Sequence, residues 1–210
     1  EVNVSLSVSE GFGVKNQGLT PDQQIEMLSA IVAGRANAEG AGAGIPSLSA
    51  TLSCVWGCPF DGEISVDQVS DMVGRVAELG LKEIALADTI GVADPWSVTR
   101  KIEAARKVAK DAKLRLHFHD TRNTGLANAY AGIEAGADIL DASVGGIGGC
   151  PFAPGATGNL ATEDLVYALH RGGFETGYDL DALIDTARWI SGHLDRPVPG
   201  ALTRAGNWPR

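Results

Sequence analysis

Two histidines separated by one residue are the feature of this sequence that most suggests chemistry. His117 and His119 occur in the stretch LRLHFHDTRN, residues 114–123, which contains two of the four histidines in the chain. If this stretch is a β-strand, both side chains project from one face, about 7 Å apart along the backbone. That spacing suits two imidazole ligands of one divalent cation, so we predict a metal site here. Asp120, directly after the pair, could orient a histidine or simply cap the following turn.

A long glycine-rich segment, ASVGGIGGCPFAPGATGN at residues 142–159, contains the second candidate group. Its glycine and proline content argues against a regular helix or a packed strand, so we predict a loop. At a ligand site such a loop usually acts as a lid or a cradle, and the alternative is a passive connection. Cys150, at its centre, would be accessible and could donate a proton to a substrate, or could have no catalytic role.

Two shorter clusters contain further candidates. Asp88 follows the apolar run in ALADTIG, residues 85–91, where its carboxylate would either point into the mouth of a barrel or cap the next turn. Cys54 and Cys58 are spaced C-x3-C without a second pair, which argues against a structural zinc site. Because the chain has three cysteines, reduced thiols are more consistent with the sequence than a disulfide scheme.

The elements that must position these residues alternate between strand-length apolar runs and stretches with helical periodicity. Capping signals mark three helix starts, at Thr20-Pro21, Ser65-Val66 and Asp94-Pro95. The predicted strands are residues 2–8, 47–54, 83–87, 114–118 and 139–143. The first of these helices covers residues 20–38, and further predicted helices are residues 124–135, 162–171 and 180–193. This order indicates five β/α units with parallel strands.

Five such units, each with polar or glycine-rich residues after its strand, predict part of a (β/α)8 TIM barrel, whose strand-to-helix loops form the active site. A complete barrel usually needs about 250 residues. We therefore expect residues 1–210 to form a single catalytic barrel domain that contains strands 4 to 8 and the closing helices, without the upstream units. An open doubly wound sheet is the structural alternative.

Composition restricts the partners of this chain. The formal net charge is −9, 44% of the residues are apolar and 20% are charged, which predicts a folded domain and disfavours binding to a nucleic-acid backbone. No apolar run approaches the roughly 20 residues needed to cross a bilayer, and no signal peptide is evident. We expect a cytoplasmic protein that binds neither nucleic acid nor membrane.

Taken together, the motifs resemble the hydroxymethylglutaryl-CoA lyase family. HFHDTRNTGLANAYAGIEAGADILDASVGGIGGCPFAPGATGNLATEDLVYAL is similar to the C-terminal half of these lyases, and CVWGCPFDGEIS and ALADTIGVADP resemble the two preceding units. SVSEGF, near residues 7–16, resembles the fourth strand and its loop. The resemblance implies a (β/α)8 barrel that cleaves a 3-hydroxy-3-methylglutaryl thioester to acetyl-CoA and acetoacetate by a retro-Claisen reaction. It also implies leucine degradation as the pathway and a homodimer as the possible assembly.

The resemblance further implies a divalent cation, Mg²⁺ or Mn²⁺, and an acyl-CoA thioester substrate. The implied metal ligands are His117, His119 and Asn159, and the implied catalytic residues are Cys150, Asp88, His117 and Glu163. In these roles Cys150 would protonate the departing carbanion, Asp88 would act on the tertiary hydroxyl and Glu163 would support the site.

Several residues depart from the family pattern. The family's first-strand segment, with a metal-binding aspartate and a catalytic arginine, has no counterpart in these 210 residues. Ala85 replaces a common serine, Phe118 replaces a small residue, and Arg122-Asn123 replaces a Tyr-Gly type of turn. These changes could indicate a related branched hydroxyacyl-CoA substrate. A synthase of the same superfamily would require a Gly-Glu-Arg-x-Gly-Asn type of motif that is absent, and an inactive barrel fragment with a binding or assembly role is a further alternative.

Overall fold

The computed structural model describes residues 1–40, 46–149 and 158–208. The strands are β1 Val2–Ser7, β2 Leu48–Ser53, β3 Gly57–Cys58, β4 Gly62–Glu63, β5 Glu83–Asp88, β6 Lys113–Phe118 and β7 Ile139–Asp141. Five of them form one sheet in the order β1-β2-β5-β6-β7, with every neighbouring pair parallel, and β3 and β4 form a small antiparallel hairpin.

Helices follow the strands of the main sheet along the chain. They are α1 Glu10–Gln17, α2 Pro21–Gly40, α3 Val66–Glu78, α4 Pro95–Val108, α5 Gly125–Glu134, α6 Thr162–Arg171, α7 Leu180–His193 and α8 Leu202–Ala205, with a short 3-10 turn at Val144–Gly146. Because the strands neighbour one another in chain order without a reversal, the doubly wound alternative is wrong. The predicted fold is confirmed: this is an α/β chain with five β/α units of a (β/α)8 barrel. Over the three described ranges, no helix is both long and apolar enough to span a membrane.

The two faces of the sheet differ in polarity. On β6, Leu114, Leu116 and Phe118 are buried in the main hydrophobic core, and they alternate with Arg115 and His117 on the other face. Gly132 of α5 is so close to the apolar face that an added Cβ would approach Leu116 Cδ1 to 2.3 Å. We call the face that carries Arg115 and His117 the inner face. The strand register places further polar residues on this face: Asn3, Ser5, Ser7, Ser49, Thr51, Ser53 and Asp141.

The predicted helix starts are confirmed by capping hydrogen bonds. Ser65 and Gln68 form a reciprocal capping box at α3, and the Asp94 side chain accepts from the backbone N–H groups of Trp96 and Ser97, the second and third residues of α4. At α2 the Thr20 backbone N–H donates to Gln23 Oε1 at 2.9 Å. These local signals act within three or four residues, which is why they can be read from the sequence.

Helix α1 was not predicted, because the segment around Ser9 reads as a loop after the first strand. Ser9 Oγ accepts from Phe12 N at 3.2 Å and donates to Asp61 Oδ2 at 2.6 Å, and the same carboxylate oxygen accepts from Gly11 N at 2.8 Å. One of the two side chains that cap α1, that of Asp61, therefore lies about fifty positions away in the sequence. The hairpin that carries Asp61, β3 and β4, was also not predicted.

Lys101 of α4 is a buried charge beneath that hairpin. It is only 4% exposed, and its Nζ donates to Val55 O at 2.9 Å and to Ile64 O at 2.7 Å. Burial lowers the pKa of Lys101 from 10.5 to about 8, although the nearby Glu63 carboxylate opposes the shift. The two carbonyl acceptors keep the hairpin attached to α4.

Replacing Lys101 with methionine should remove a pH-dependent component of stability. Because the pKa of Lys101 is about 8 in the folded protein and 10.5 in its ordinary state, the unfolded chain binds more protons between these pH values. The wild-type free energy of unfolding should therefore rise relative to Lys101→Met across this interval, by up to about 3 kcal/mol. Urea unfolding of both proteins at the two ends of the interval measures the change. A difference in stability that stays constant with pH would contradict the burial argument.

Candidate metal centre and active site

The two predicted histidines lie side by side at the carboxyl end of β6. Their ring centroids are 5.3 Å apart with an interplanar angle of 70°. The register pairs His117 with Ala87 on one side and with Asp141 on the other. His119 follows the strand and forms an antiparallel bridge with Asn159. The strand spacing thus directs both imidazoles to the inner face, as the sequence predicts.

His119 is buried and electrically neutral at physiological pH. Burial, and to a smaller extent the neighbouring His117, together lower the pKa of His119 from 6.5 to about 4. Its Nδ1 is buried and has no hydrogen-bond partner among the residues that the structure describes. A neutral imidazole with an unsatisfied buried nitrogen is suited to metal coordination, because the coordinating nitrogen must carry a lone pair.

Asn159 joins the histidines from the far end of the glycine-rich segment. Two backbone hydrogen bonds hold this part of the chain against the end of β6: Leu160 N donates to Phe118 O at 3.0 Å, and Asp120 N donates to Gly158 O at 3.1 Å. The Asn159 amide nitrogen donates to Ile147 O at 2.9 Å. The Asn159 Oδ1 atom takes no part in this hydrogen bond, and it is buried without a partner within the described ranges.

These three residues fit a divalent cation. Two imidazoles and an amide oxygen are donors that Mn²⁺ or Mg²⁺ accepts, and Zn²⁺ would also accept the imidazoles. Two of the donor atoms, His119 Nδ1 and Asn159 Oδ1, are buried polar atoms that a cation would satisfy. Without a partner, each of these two buried atoms would lower the stability of the folded protein by about 1–3 kcal/mol. No group of three or more His, Cys, Asp or Glu side chains suited to a metal occurs in residues 1–40, 46–149 and 158–208.

Glu163 supports the site from the start of α6. Its side chain is fully buried, and its Oε2 accepts from Gly145 N at 2.9 Å. Burial raises the pKa of the Glu163 carboxyl. Gly145 has φ of +73° and opens the glycine-rich segment. Gly200 packs against the same carboxylate, because an added Cβ there would lie 2.0 Å from Glu163 Oε1. Glu163 thus holds the start of the segment next to the chain that follows α7.

Asp88 does not have the first of its two predicted positions, in which its carboxylate would point into the mouth of the barrel. The register pairs it with Phe118, so it lies on the apolar side of the sheet and not on the inner face with His117. It is fully buried, with Oδ1 accepting from Val92 N and Oδ2 from Ala93 N, both at 2.9 Å. The expectation that its carboxylate points into the barrel mouth is wrong in this structure. Asp88 instead caps the loop after β5, and burial raises its pKa.

Asp120 also acts as a cap. Its Oδ1 accepts from Gly125 N at 2.7 Å at the start of α5, and burial raises its pKa. Of the two roles left open by the sequence, the structure shows the capping role. This bond fixes the turn that immediately follows His119.

Cys150 lies outside the described residues, and its predicted role as a proton donor stays a prediction. The described ends of its segment meet, since Gly158 N donates to Gly148 O at 2.8 Å. Cys54 and Cys58 are both buried. Cys58 Sγ lies 2.7 Å from Ser9 Oγ and accepts hydrogen bonds from the backbone N–H groups of residues 60 and 61, so its contacts are those of a structural residue.

Sequence reasoning missed two charged residues of the inner face, Arg115 and Asp141. Arg115 precedes His117 by two positions on the same strand, and Asp141 is the register partner of His117 on β7. The alternation of side chains along a strand could have identified Arg115, because a residue two positions before a ligand projects from the same face of the strand. The position of Asp141 depends on the register between strands, which the sequence does not specify.

Replacing Gly148 with alanine should disturb Asn159 and reduce metal affinity. Gly148 has φ of +113°, and an added Cβ would lie 2.5 Å from Asn159 Nδ2. We expect a loss of about 1–3 kcal/mol in the free energy of unfolding from the backbone strain alone. Urea unfolding and a Mn²⁺ titration measure the two effects. Gly80→Ala is the matched control, because Gly80 also has a positive φ, of +83°, but an added Cβ there meets nothing within 4 Å. Equal Mn²⁺ affinity of the two variants would contradict the assignment.

Comparison with known proteins identifies the family. The HMGL-like family model matches residues 1–190. The mitochondrial hydroxymethylglutaryl-CoA lyase of Gallus gallus is 38% identical over 98% of this chain and 67% of its own length. The (R)-citramalyl-CoA lyase of Chloroflexus aurantiacus is 44% identical over 74% of this chain and 49% of its own length.

A solved structure agrees with the sequence matches. An HMG-CoA lyase from Acinetobacter baumannii, in complex with coenzyme A and 3-methylmalate, superposes with a TM-score of 0.90 at 38% identity, covering 99% of this chain and 66% of that one. The chain therefore spans about half to two thirds of the length of these relatives. On the extent of these matches, the chain belongs to the HMGL-like family.

Proposed function

We propose that the complete protein is a metal-dependent carbon–carbon lyase that cleaves hydroxymethylglutaryl-CoA to acetyl-CoA and acetoacetate. The observation that carries the proposal is the meeting of His117, His119 and Asn159 at one strand end, with two of their donor atoms buried and unsatisfied. The reaction class is supported by relatives named hydroxymethylglutaryl-CoA lyase at 36–39% identity. The predicted homodimer and cytoplasmic location are parts of the same proposal.

The retro-Claisen reaction breaks one carbon–carbon bond and requires two proton transfers. Cleavage of C2–C3 transfers the proton of the C3 hydroxyl to a general base, converts C3 into a ketone, leaves the bonding electron pair on C2 beside the thioester carbonyl, and returns a proton to C2. A bound divalent cation supplies Lewis-acid stabilisation of the negative charge that develops on the C3 oxygen. His117, His119 and Asn159 would hold that cation, and the low pKa of His119 keeps its lone pair available.

The remaining roles belong to the glycine-rich segment and to the loop after β5. In this proposal Cys150 delivers the proton to C2, and its segment excludes water from the carbanion. Glu163 fixes the start of that segment through Gly145. Asp88 orders the loop after β5 through its two backbone hydrogen bonds. Its action on the tertiary hydroxyl, which the family resemblance implies, has no support from this geometry.

A second candidate substrate is (R)-citramalyl-CoA, which has the same tertiary alcohol with a shorter acid arm. The relative of that name is 44% identical to this chain. Arg122 departs from the family turn and its Nη1 donates to Ile90 O at 2.8 Å and to Gly91 O at 3.0 Å, which joins the loops after β5 and β6. The positively charged Arg122 side chain, between these two loops, could interact with a substrate carboxylate. The same retro-Claisen step would then give acetyl-CoA and pyruvate.

Steady-state assays of the complete protein with both thioesters test the proposal. Release of acetyl-CoA should occur with Mn²⁺ or Mg²⁺, cease after treatment with a chelator, and return when Mn²⁺ is restored. The ratio of kcat/KM for the two thioesters identifies the acyl group. Cleavage that survives complete chelation would reject the metal mechanism. Binding of Mn²⁺ and coenzyme A without any cleavage would favour the alternative of an inactive binding barrel.

A further inference from the structure

We infer that Asp141 is a positioning residue for His117 and that Arg115 holds Asp141 in place; this inference rests on the metal site of the proposed function. The strand register puts His117 and Asp141 side by side on the inner face. The distance from His117 Nδ1 to Asp141 Oδ1 is 3.6 Å. Asp141 Oδ1 is buried and accepts no hydrogen bond from any residue that the structure describes.

This distance is somewhat longer than a hydrogen bond. Hydrogen bonds in unliganded active sites are commonly long and shorten when the ligand binds. Because Asp141 Oδ1 has no competing donor in the described part of the chain, a small rotation of the imidazole would bring Nδ1–H within bonding distance. The other ring nitrogen, Nε2, would then carry the lone pair for the cation.

Arg115 anchors the other side of the Asp141 carboxylate. Its Nη1 lies 3.8 Å from Asp141 Oδ2, and its Nη2 pairs with Glu83 and lies 3.2 Å from Glu1 Oε1. The side chains of Arg115, Glu83 and Asp141 are only partly exposed, and that of Glu1 is exposed. Asp141 thus lies between a guanidinium on one oxygen and an imidazole on the other. The guanidinium only donates hydrogen bonds, so it requires an acceptor atom on the side of Oδ2.

This geometry makes the Asp141→Asn variant informative. Arg115 should keep the amide oxygen on its own side, which turns the amide NH2 group toward His117. Nδ1 would then have to accept a hydrogen bond, and the proton would move to Nε2, the nitrogen needed for the cation. An aspartate-to-asparagine change beside a catalytic histidine has this effect in a serine protease, where the geometry remains intact but the tautomer is wrong.

Nuclear magnetic resonance of the complete protein with ¹⁵N-labelled histidine tests the inference. Without metal, wild-type His117 should carry its proton on Nδ1, and in Asp141→Asn it should carry the proton on Nε2. The Mn²⁺ affinity, measured by electron paramagnetic resonance, should fall about 10- to 100-fold in the variant. Asp185→Asn is the matched control, since it removes one acidic charge from an exposed pair with Arg188. It should change neither the tautomer nor the affinity.

The outcomes separate this inference from the proposed function. Wild-type His117 protonated on Nε2 overturns the inference, and this result needs no variant to fold. Wild-type Mn²⁺ binding that is unchanged in a folded Asp141→Asn protein also overturns the inference but leaves the metal site intact. A wild-type protein that shows the Nδ1–H tautomer and binds no Mn²⁺ overturns the proposed function, and with it the role of Asp141.

Discussion

Replacing His119 with alanine in the complete protein should abolish measurable Mn²⁺ binding and reduce cleavage of the acyl-CoA thioester about 10³-fold or more. The substitution removes one of two imidazole ligands, and the cation is proposed to provide several kcal/mol of transition-state stabilisation, with each 1.4 kcal/mol worth about tenfold in rate. The effect should be confined to the site, because His119 contributes no hydrogen bond through Nδ1 to the described residues. Steady-state kinetics and a Mn²⁺ titration measure the two losses.

His170→Ala is the control for the loss of a histidine. His170 is exposed on α6, and its Nε2 hydrogen bonds to Thr176 Oγ1 at 2.8 Å. This variant should retain wild-type Mn²⁺ affinity and turnover. Turnover in His119→Ala close to that of His170→Ala would show that His119 is not a metal ligand.

Replacing Cys150 with serine should lower turnover about 10²- to 10⁴-fold, the range attributed to a positioned acid or base. A serine hydroxyl is a much weaker acid than a thiol, so it should not protonate the carbanion at a useful rate. The melting temperature should change little, since the two side chains have nearly the same size. Turnover, Mn²⁺ affinity and thermal unfolding, measured together, separate a lost proton donor from a damaged site.

Cys58→Ser is the matched comparison for this substitution. Cys58 is buried, and its sulfur contacts Ser9 Oγ near the start of α1 and accepts two backbone hydrogen bonds within the hairpin. The variant should lose stability while the folded fraction keeps its turnover. If instead Cys150→Ser retained full turnover, the thiol would have no part in proton transfer.

Local patterns allowed much of this fold to be predicted from the sequence. The alternation of apolar and polar residues on β6 put Leu114 and Leu116 into the core and His117 on the inner face. The capping residue Ser65 and the helix start at Asp94 acted through hydrogen bonds within four residues. The same parity rule predicted that the two histidines share a face.

Features that depend on distant partners could not be predicted in the same way. Helix α1 is capped partly by Asp61, which belongs to a different β/α unit. Asp88 was expected just beyond its strand, but it is the last residue of β5, and inclusion in the strand turns its side chain to the apolar side. Asp141 acquires its position from the register between β6 and β7. The positions of α1 and Asp141 are therefore set by tertiary contacts, whereas Asp88 acts through local hydrogen bonds as the cap that was its second predicted role.

We propose that one divalent cation binds both imidazoles at the end of β6 and is required for cleavage. Electron spin echo spectroscopy of Mn²⁺ bound to the complete protein, labelled with ¹⁵N-histidine, detects this coordination. We expect couplings to two histidine nitrogens in the wild-type protein, with loss of bound Mn²⁺ or of one coupling in His119→Ala. Bound Mn²⁺ without a histidine coupling, or a spectrum that His119→Ala leaves unchanged, would show that the two histidines are not its ligands.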